Sequence, residues 1–283
     1  MKDKIFKSLL FLSAFILLML VAGIVYSLVD QSLSAFRYFG LWKFISTAEW
    51  DPRAGSEHYG ALSFITGTVL TSLLAIVFCI PFSFPVALFT GEYFRGTKMA
   101  SFVGSVVNLL AGIPSIVYGL WGFYTLRPII VSLGLSDQGF GILTASLVLA
   151  IMIIPYASSL SSEFFSMVPN ELKEGAYSLG ATRFEVISNV CFPVAGSGIL
   201  SAYILALGRA LGETMAVTML IGNTNQLPKS LTDTGNTMAS IIANQFGEAG
   251  GLKLSSLIAI GLVLFLITAV INSIAKLTMR KIA

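Results

Sequence analysis

Six long apolar runs dominate the pattern of hydrophobic and polar positions, at about residues 9–29, 62–90, 101–124, 141–161, 199–221 and 254–274. Each is near the roughly 20 residues that carry a helix across a bilayer, and all are far longer than the strands of a membrane barrel. The pattern therefore predicts an all-α integral membrane protein with six transmembrane helices. The second run is over-long and holds Pro81 and Pro85, so a kink or break is expected there. Pro114 and Pro155 are expected to bend the third and fourth. Lipid tolerates such breaks only where neighbours or water satisfy the freed backbone groups.

Composition agrees. Of 283 residues, 55% are hydrophobic and 11% charged, against about 25% charged in soluble domains. With the N-terminus inside, ten of the seventeen Lys and Arg fall on inner segments: Lys2, Lys4, Lys7, Arg95, Lys98, Lys173, Arg183, Lys276, Arg280 and Lys281. Six fall outside and Arg209 lies in a span, so both termini are expected in the cytoplasm. The first run follows three lysines, as in a signal peptide, but its length makes it a retained helix. The chain then divides into residues 1–61, a first helix with an outer loop, and residues 62–283, a core of five helices.

Several chemistries are excluded. The net charge of +3 is spread over the membrane flanks, not clustered as nucleic-acid binding requires. Cys79 and Cys191 are expected at different depths, so no disulfide follows. His58 is the single histidine and sits outside, which leaves no zinc-type ligand set. The stretch 91–98 has two glycines and a lysine, but not in the order of a phosphate-binding loop. Asp233-Thr234-Gly235 stands alone and reads as a turn. The chain lacks parts for ATP hydrolysis and for most covalent catalysis, and reads as binding no cofactor of its own.

One pair of charges stands inside the fifth run. A charged side chain at the centre of a membrane helix costs roughly 2.5–3.5 kcal/mol. Arg209 and Glu213 are four apart, so they are expected to share one helix face and can pair with each other. Gly208, Gly212 and Ala216 beside them form a small-residue stripe suited to close helix packing. Such a pair either serves a polar path or clamps the helix to its neighbours. Thr214, Ser115 and Asn108 are candidates for neutral donors along the same path.

The inner connection at about 163–193 is long and reads as two short helices. Pro169 opens the first, Glu171 and Glu174 lie in its early turns, and Gly180 ends it. Thr182 and Glu185 have capping-box spacing for the second. On helix physics alone this is either a docking knob or an amphipathic connector on the membrane surface.

Glu174-Gly175-Ala176, three residues, Gly180, nine residues and Val190-Cys191-Phe192-Pro193 resemble the EAA loop of ABC importer permeases, with Gly175 for the first Ala and Val190 and Phe192 for Ile and Leu. The resemblance implies a type I ABC importer permease fold, in which this cytoplasmic coupling loop inserts into a separate ATPase subunit. Glu174, Ala176, Gly180 and Pro193 carry over to ATPase coupling. Trp50-Asp51-Pro52, Tyr59-Gly60-Ala61-Leu62, Gly67-Thr68 and the stretches 110–119 and 208–217 resemble more narrowly the C-type permease subunits of bacterial phosphate importers.

That resemblance implies a heterodimer with an A-type permease, two ATPase subunits that bind ATP and Mg, and an external phosphate-binding protein. It implies a multi-pass protein of the cytoplasmic membrane whose passenger is inorganic phosphate. Sulfate, molybdate or phosphonate would suit the same arginine. An ion-coupled secondary transporter, with Glu213 carrying protons, is the other class of reading; such proteins often show internal repeats, and none is evident between residues 1–140 and 141–283.

Overall fold

The computed structural model describes residues 2–53 and 57–282. The side chains of Lys2, Arg280 and Lys281, three of the inner cations, lie outside the described set. Among the described residues five helices are long and apolar enough to cross a membrane, and one sharply bent pair makes a sixth.

Helix α1 (Lys2–Phe39) is far longer than its apolar run and exposes that run on all sides, as a helix facing lipid does. A short α2 (Leu41–Ser46) and a two-stranded hairpin, β1 (Trp50–Asp51) and β2 (His58–Tyr59), follow. Trp50, Tyr59 and Phe64 pack edge to face. The Trp50 indole donates to Gln245 Oε1 at 3.2 Å.

Of the kink or break expected at Pro81 and Pro85, a break does not occur: helix α3 (Leu62–Leu88) runs on through both and ends in a π turn, Phe89–Tyr93. The Ser83 hydroxyl donates to Cys79 O at 2.8 Å near the first proline. Past the second, the Phe89 N–H reaches both Pro85 O and Val86 O.

The third run is the broken one. Helices α4 (Lys98–Ala111) and α5 (Ser115–Trp121) meet at 92° across Gly112, Ile113 and Pro114, the bend expected at Pro114. A π turn continues α5 into α6 (Arg127–Ser132). Helix α7 (Ile142–Ser166) is the central post, with 67% of its apolar window buried. Val148, Leu149, Met152 and Ile153 form the core with Ala75 and Cys79 of α3 and with Leu220 and Ile221.

The inner loop folds as α8 (Asn170–Ser178) and α9 (Arg183–Val186), as expected. A π turn, Ile187–Cys191, leads into α10 (Phe192–Leu211). The fifth span therefore starts near Arg183 and stops at Leu211, so the reading of 199–221 as one helix is corrected. A four-residue α11 (Met215–Thr218) lies beyond the break. Leu220 and Ile221 are apolar because they are buried in protein. Gly122 makes room for Leu220, where a Cβ would lie 2.8 Å from Leu220 Cδ1, and Gly119 makes room for α11, where a Cβ would lie 3.1 Å from Ala216 Cα.

Helices α12 (Met238–Gln245) and α13 (Gly251–Ile282) complete the chain. Helix α13 lies along α1, where the Ser255 hydroxyl accepts from the Ala35 N–H and donates to Gln31 O. The outer hairpin and α2 share one apolar cluster with α12 and α13 through Phe44, Trp50, Met238, Ile241 and Leu257.

Candidate functional site

The charged residues of the fifth run sit at the end of α10. Arg209 is in its last turn, on an exposed side, and its guanidinium carbon lies 4.0 Å from the centroid of the Tyr156 ring on α7. Glu213 lies past the helix terminus, with Gly212 as the capping residue. Its backbone N–H still reaches Ala210 O at 3.4 Å, but its carboxylate Oε1 accepts from the Ala216 N–H, at 3.4 Å. Among the described residues no ion pair joins Arg209 to Glu213. The expected pairing on one helix face fails because the helix that would supply that face ends between them.

Tyr156 had no signal in the sequence beyond being an aromatic residue next to Pro155. It links two elements: its ring carries Arg209, and its hydroxyl donates to Ala111 O, at 3.4 Å, at the mouth of the bend. Tyr118 donates to Leu110 O at 2.9 Å. The last carbonyls of α4, which lack helical donors, are thus held by two tyrosines, and Arg209 stands beside this frame.

The weaker candidates separate. Ser115 is half-buried at the start of α5. Thr214 is half-buried and its hydroxyl donates to Gly212 O at 3.3 Å. Asn108 is exposed on α4 and lines a cavity of about 130 Å³ with Thr90, Ser158, Ser162 and Glu163, apart from the arginine. The small-residue stripe divides as well. A Cβ on Gly208 would meet Asn272 Oδ1 at 3.8 Å and one on Gly212 only carbonyls of its own helix, from 3.9 Å, while Ala216 is buried against Gly119.

In the 163–193 loop, Gly180 takes φ +87°, where a side chain would be strained, and closes α8. Its N–H donates to Tyr177 O and that of Ala181 to Ala176 O. The Thr182–Glu185 capping box is present with both reciprocal bonds. Glu174 is exposed, Ala176 half-buried, and Pro193 exposed in the first turn of α10. The loop offers uncovered apolar side chains, with Leu179 91% and Phe184 78% exposed.

Two contacts here were not legible beforehand. Lys173 of α8 forms a buried ion pair with Glu92 of the π turn after α3. Arg183 donates to Tyr93 O and stacks on the Tyr93 ring, 3.8 Å to its centroid. In sequence, both cations read only as inner topological charges. Beside the hairpin, an open hollow of about 640 Å³ is lined by Glu49, Asp51, Arg53, Asn225 and Gln226. The Arg53 guanidinium beside Asp51 holds that carboxyl below the usual range.

This architecture recurs in solved permeases. It matches a chain of the MetNI methionine ABC transporter in an inward-facing conformation, with TM-score 0.63 and 19% identity over 77% of this chain and 93% of that one. It also matches a chain of a bacterial ABC transporter involved in import of the acidic polysaccharide alginate, with TM-score 0.63 and 17% identity over 96% of each chain. The fold is that of a type I ABC importer permease. Residues 83–283 match the family described as binding-protein-dependent transport system inner membrane component, and the chain belongs to that family.

Relatives cover nearly the whole length. The chain is 40% identical over 300 residues to the phosphate transport system permease protein PstC of Mesorhizobium japonicum, covering 99% of this chain and 90% of the relative. It is 41% identical over 288 residues to PstC of Pasteurella multocida, covering 95% and 89%.

Proposed function

We propose that the chain is the permease subunit of an ATP-driven inorganic phosphate importer of the inner membrane. It would form half of the translocation path and take its work from a separate ATPase. The near full-length likeness to PstC proteins carries this reading, and a guanidinium at the broken end of α10 that has no carboxylate partner among the described residues gives it a chemical basis. Family membership favours a binding-protein-dependent importer over an ion-coupled secondary transporter.

Phosphate is a mono- or dianion at neutral pH, and stripping its water in an apolar path is prohibitive without positive charge. Arg209 stays charged and offers a planar fork that fits two phosphate oxygens. Tyr156 holds that fork by its face, which leaves the donors at the guanidinium edge free for the anion. Release needs a competitor, and the Glu213 carboxylate is that group: a change at the α10 terminus that frees it from the Ala216 N–H would draw Arg209 away. Ser115 and Thr214 supply neutral donors at the bend and the break. Asn108 is the poorest of these candidates, since it lines a separate cavity.

Both termini lie in the cytoplasm in this reading. The knob of α8, Gly180 and α9 enters a groove on an ATPase subunit, with Glu174, Ala176, Gly180 and Pro193 at or behind the contact. The uncovered Leu179 and Phe184 favour a protein groove as their cover. An A-type permease would complete the translocation path, two ATPase subunits would bind ATP and Mg, and an external phosphate-binding protein would deliver the anion. The chain itself would catalyse no reaction.

The test is uptake of labelled phosphate by the assembled complex in vesicles. ATP-dependent phosphate uptake that tenfold excess sulfate, molybdate or phosphonate leaves intact supports the reading. Uptake of one of those anions in place of phosphate overturns it.

A further inference from the structure

The buried pair Glu92–Lys173 joins elements that the chain itself does not connect. The coupling loop is continuous with α7 at one end and α10 at the other. The span carrying Glu92 is tied to it only through space. The two side chains are 11% and 9% exposed, and among the described residues the other ion pair, Arg53–Asp51, is an exposed neighbour contact. A buried lysine is retained when it is paired. A second tie lies one residue on and ten residues along the loop, where Arg183 grips Tyr93. Each short helix of the loop is thus fastened to one of two consecutive residues at the inner end of the same span.

That end is held firmly. Gly91 abuts α7 so closely that a Cβ would lie 2.5 Å from Ser162 O. The buried Cys191 lies beside the Glu92 carboxylate. From there α3 and its π turn run without a break to Leu62. At the far end a Cβ on Gly67 would lie 2.1 Å from Asn236 O, and the Thr68 hydroxyl accepts from the Met238 N–H at 2.9 Å. One continuous helix therefore touches the coupling loop at its inner end and the outer 222–237 segment at its other end.

We infer that Glu92 and Lys173 are positioning residues for transport: their pair, with Arg183 on Tyr93, transmits displacement of the coupling loop to the second span and through it to the outer segment. The inference rests on the loop docking to an ATPase, as proposed above. It assigns the second span, which the loop does not adjoin in the chain, as the element driven.

The test uses the complete complex in proteoliposomes and reads phosphate imported per ATP hydrolysed. Glu92→Gln and Lys173→Met should each lower that ratio by about tenfold, within the usual range of a coupling between sites, while hydrolysis continues. The exchange Glu92→Lys with Lys173→Glu should restore the ratio to within about threefold, since only a direct pair is rescued by reversal. Arg183→Ala, at an exposed position, should lower it in the same direction and serves if the buried variants fail to assemble. An unchanged ratio in variants that assemble, equal loss of hydrolysis and import, or a reversed pair that assembles but stays uncoupled would each overturn the inference. Failure of the docking reading is separate: the ATPase would then co-purify normally with both Leu179→Asp and Gly180→Val.

Discussion

Arg209 rests on the ring of Tyr156 at 4.0 Å and makes no ion pair with Glu213. This cation–π contact is worth about 0.5–2 kcal/mol. Arg209→Lys keeps the charge but loses the planar fork, so phosphate uptake should fall by about tenfold or more, and Arg209→Gln should abolish it. Tyr156→Phe keeps the ring and gives up a 3.4 Å hydrogen bond, so uptake should stay within about threefold. Tyr156→Leu removes the platform and should cost about tenfold. Initial uptake rates in vesicles, normalised to assembled complex, decide this; full activity in Arg209→Gln would remove the arginine from the path.

Glu213 is separable from its neighbour because its carboxylate is used locally. Oε1 accepts from the Ala216 N–H, and a glutamine can accept there as well. Glu213→Gln should preserve the turn but lose the charge that competes for Arg209. The expected result is a several-fold lower kcat with KM nearly unchanged, the pattern of a group acting after binding. A purely structural turn would leave both constants at the wild-type level.

Much of this architecture is legible in the sequence, and the failures share one cause. The long apolar runs give the membrane class, the bend at Pro114 and the helix–glycine–helix knob follow from local chemistry, and the Thr182–Glu185 capping box forms as spaced. The fifth run misleads because hydrophobicity records exclusion from water without distinguishing lipid from protein. Leu220 and Ile221 are as apolar as any lipid-facing residue, yet both are buried in the protein core, Leu220 in space left by Gly122. The helix ends at Gly212, and an i, i+4 argument fails across that end. Tyr156 and the Glu92–Lys173 pair were hidden for a related reason: each gains its role from a contact between distant segments, which periodicity does not encode.

Close backbone approach at the outer end of α3 gives a stability prediction. A Cβ on Gly67 would sit 2.1 Å from the Asn236 carbonyl oxygen, and a backbone atom cannot rotate away. Gly67→Ala should destabilise by about 1–3 kcal/mol, as overpacking does. The thermal transition of the purified complex should fall, whereas Gly104→Ala, which meets nothing within 4 Å, should leave it in place. Equal transitions in both variants would mean that α3 and the 222–237 segment are not held together as described.

Gly180 and Leu179 allow the coupling loop to be tested in two independent ways. Gly180 needs φ +87° to turn the chain between α8 and α9, a conformation that costs a side chain roughly 1–2 kcal/mol; a β-branched residue tolerates it least. Gly180→Val should reorient α9 and uncouple ATP hydrolysis from import without lowering the amount of chain in the membrane, because the glycine faces open space. Leu179 is 91% exposed and plays no part in the turn's packing. Leu179→Asp should leave α8, the glycine turn and α9 folded, yet place a charge where an apolar groove is expected, and so weaken ATPase co-purification by about tenfold or more. Loss of co-purification in both variants, with membrane insertion intact, identifies the knob as the docking element. If Leu179→Asp binds the ATPase normally while Gly180→Val does not, the apolar tip lies outside the contact and the turn alone carries the recognition.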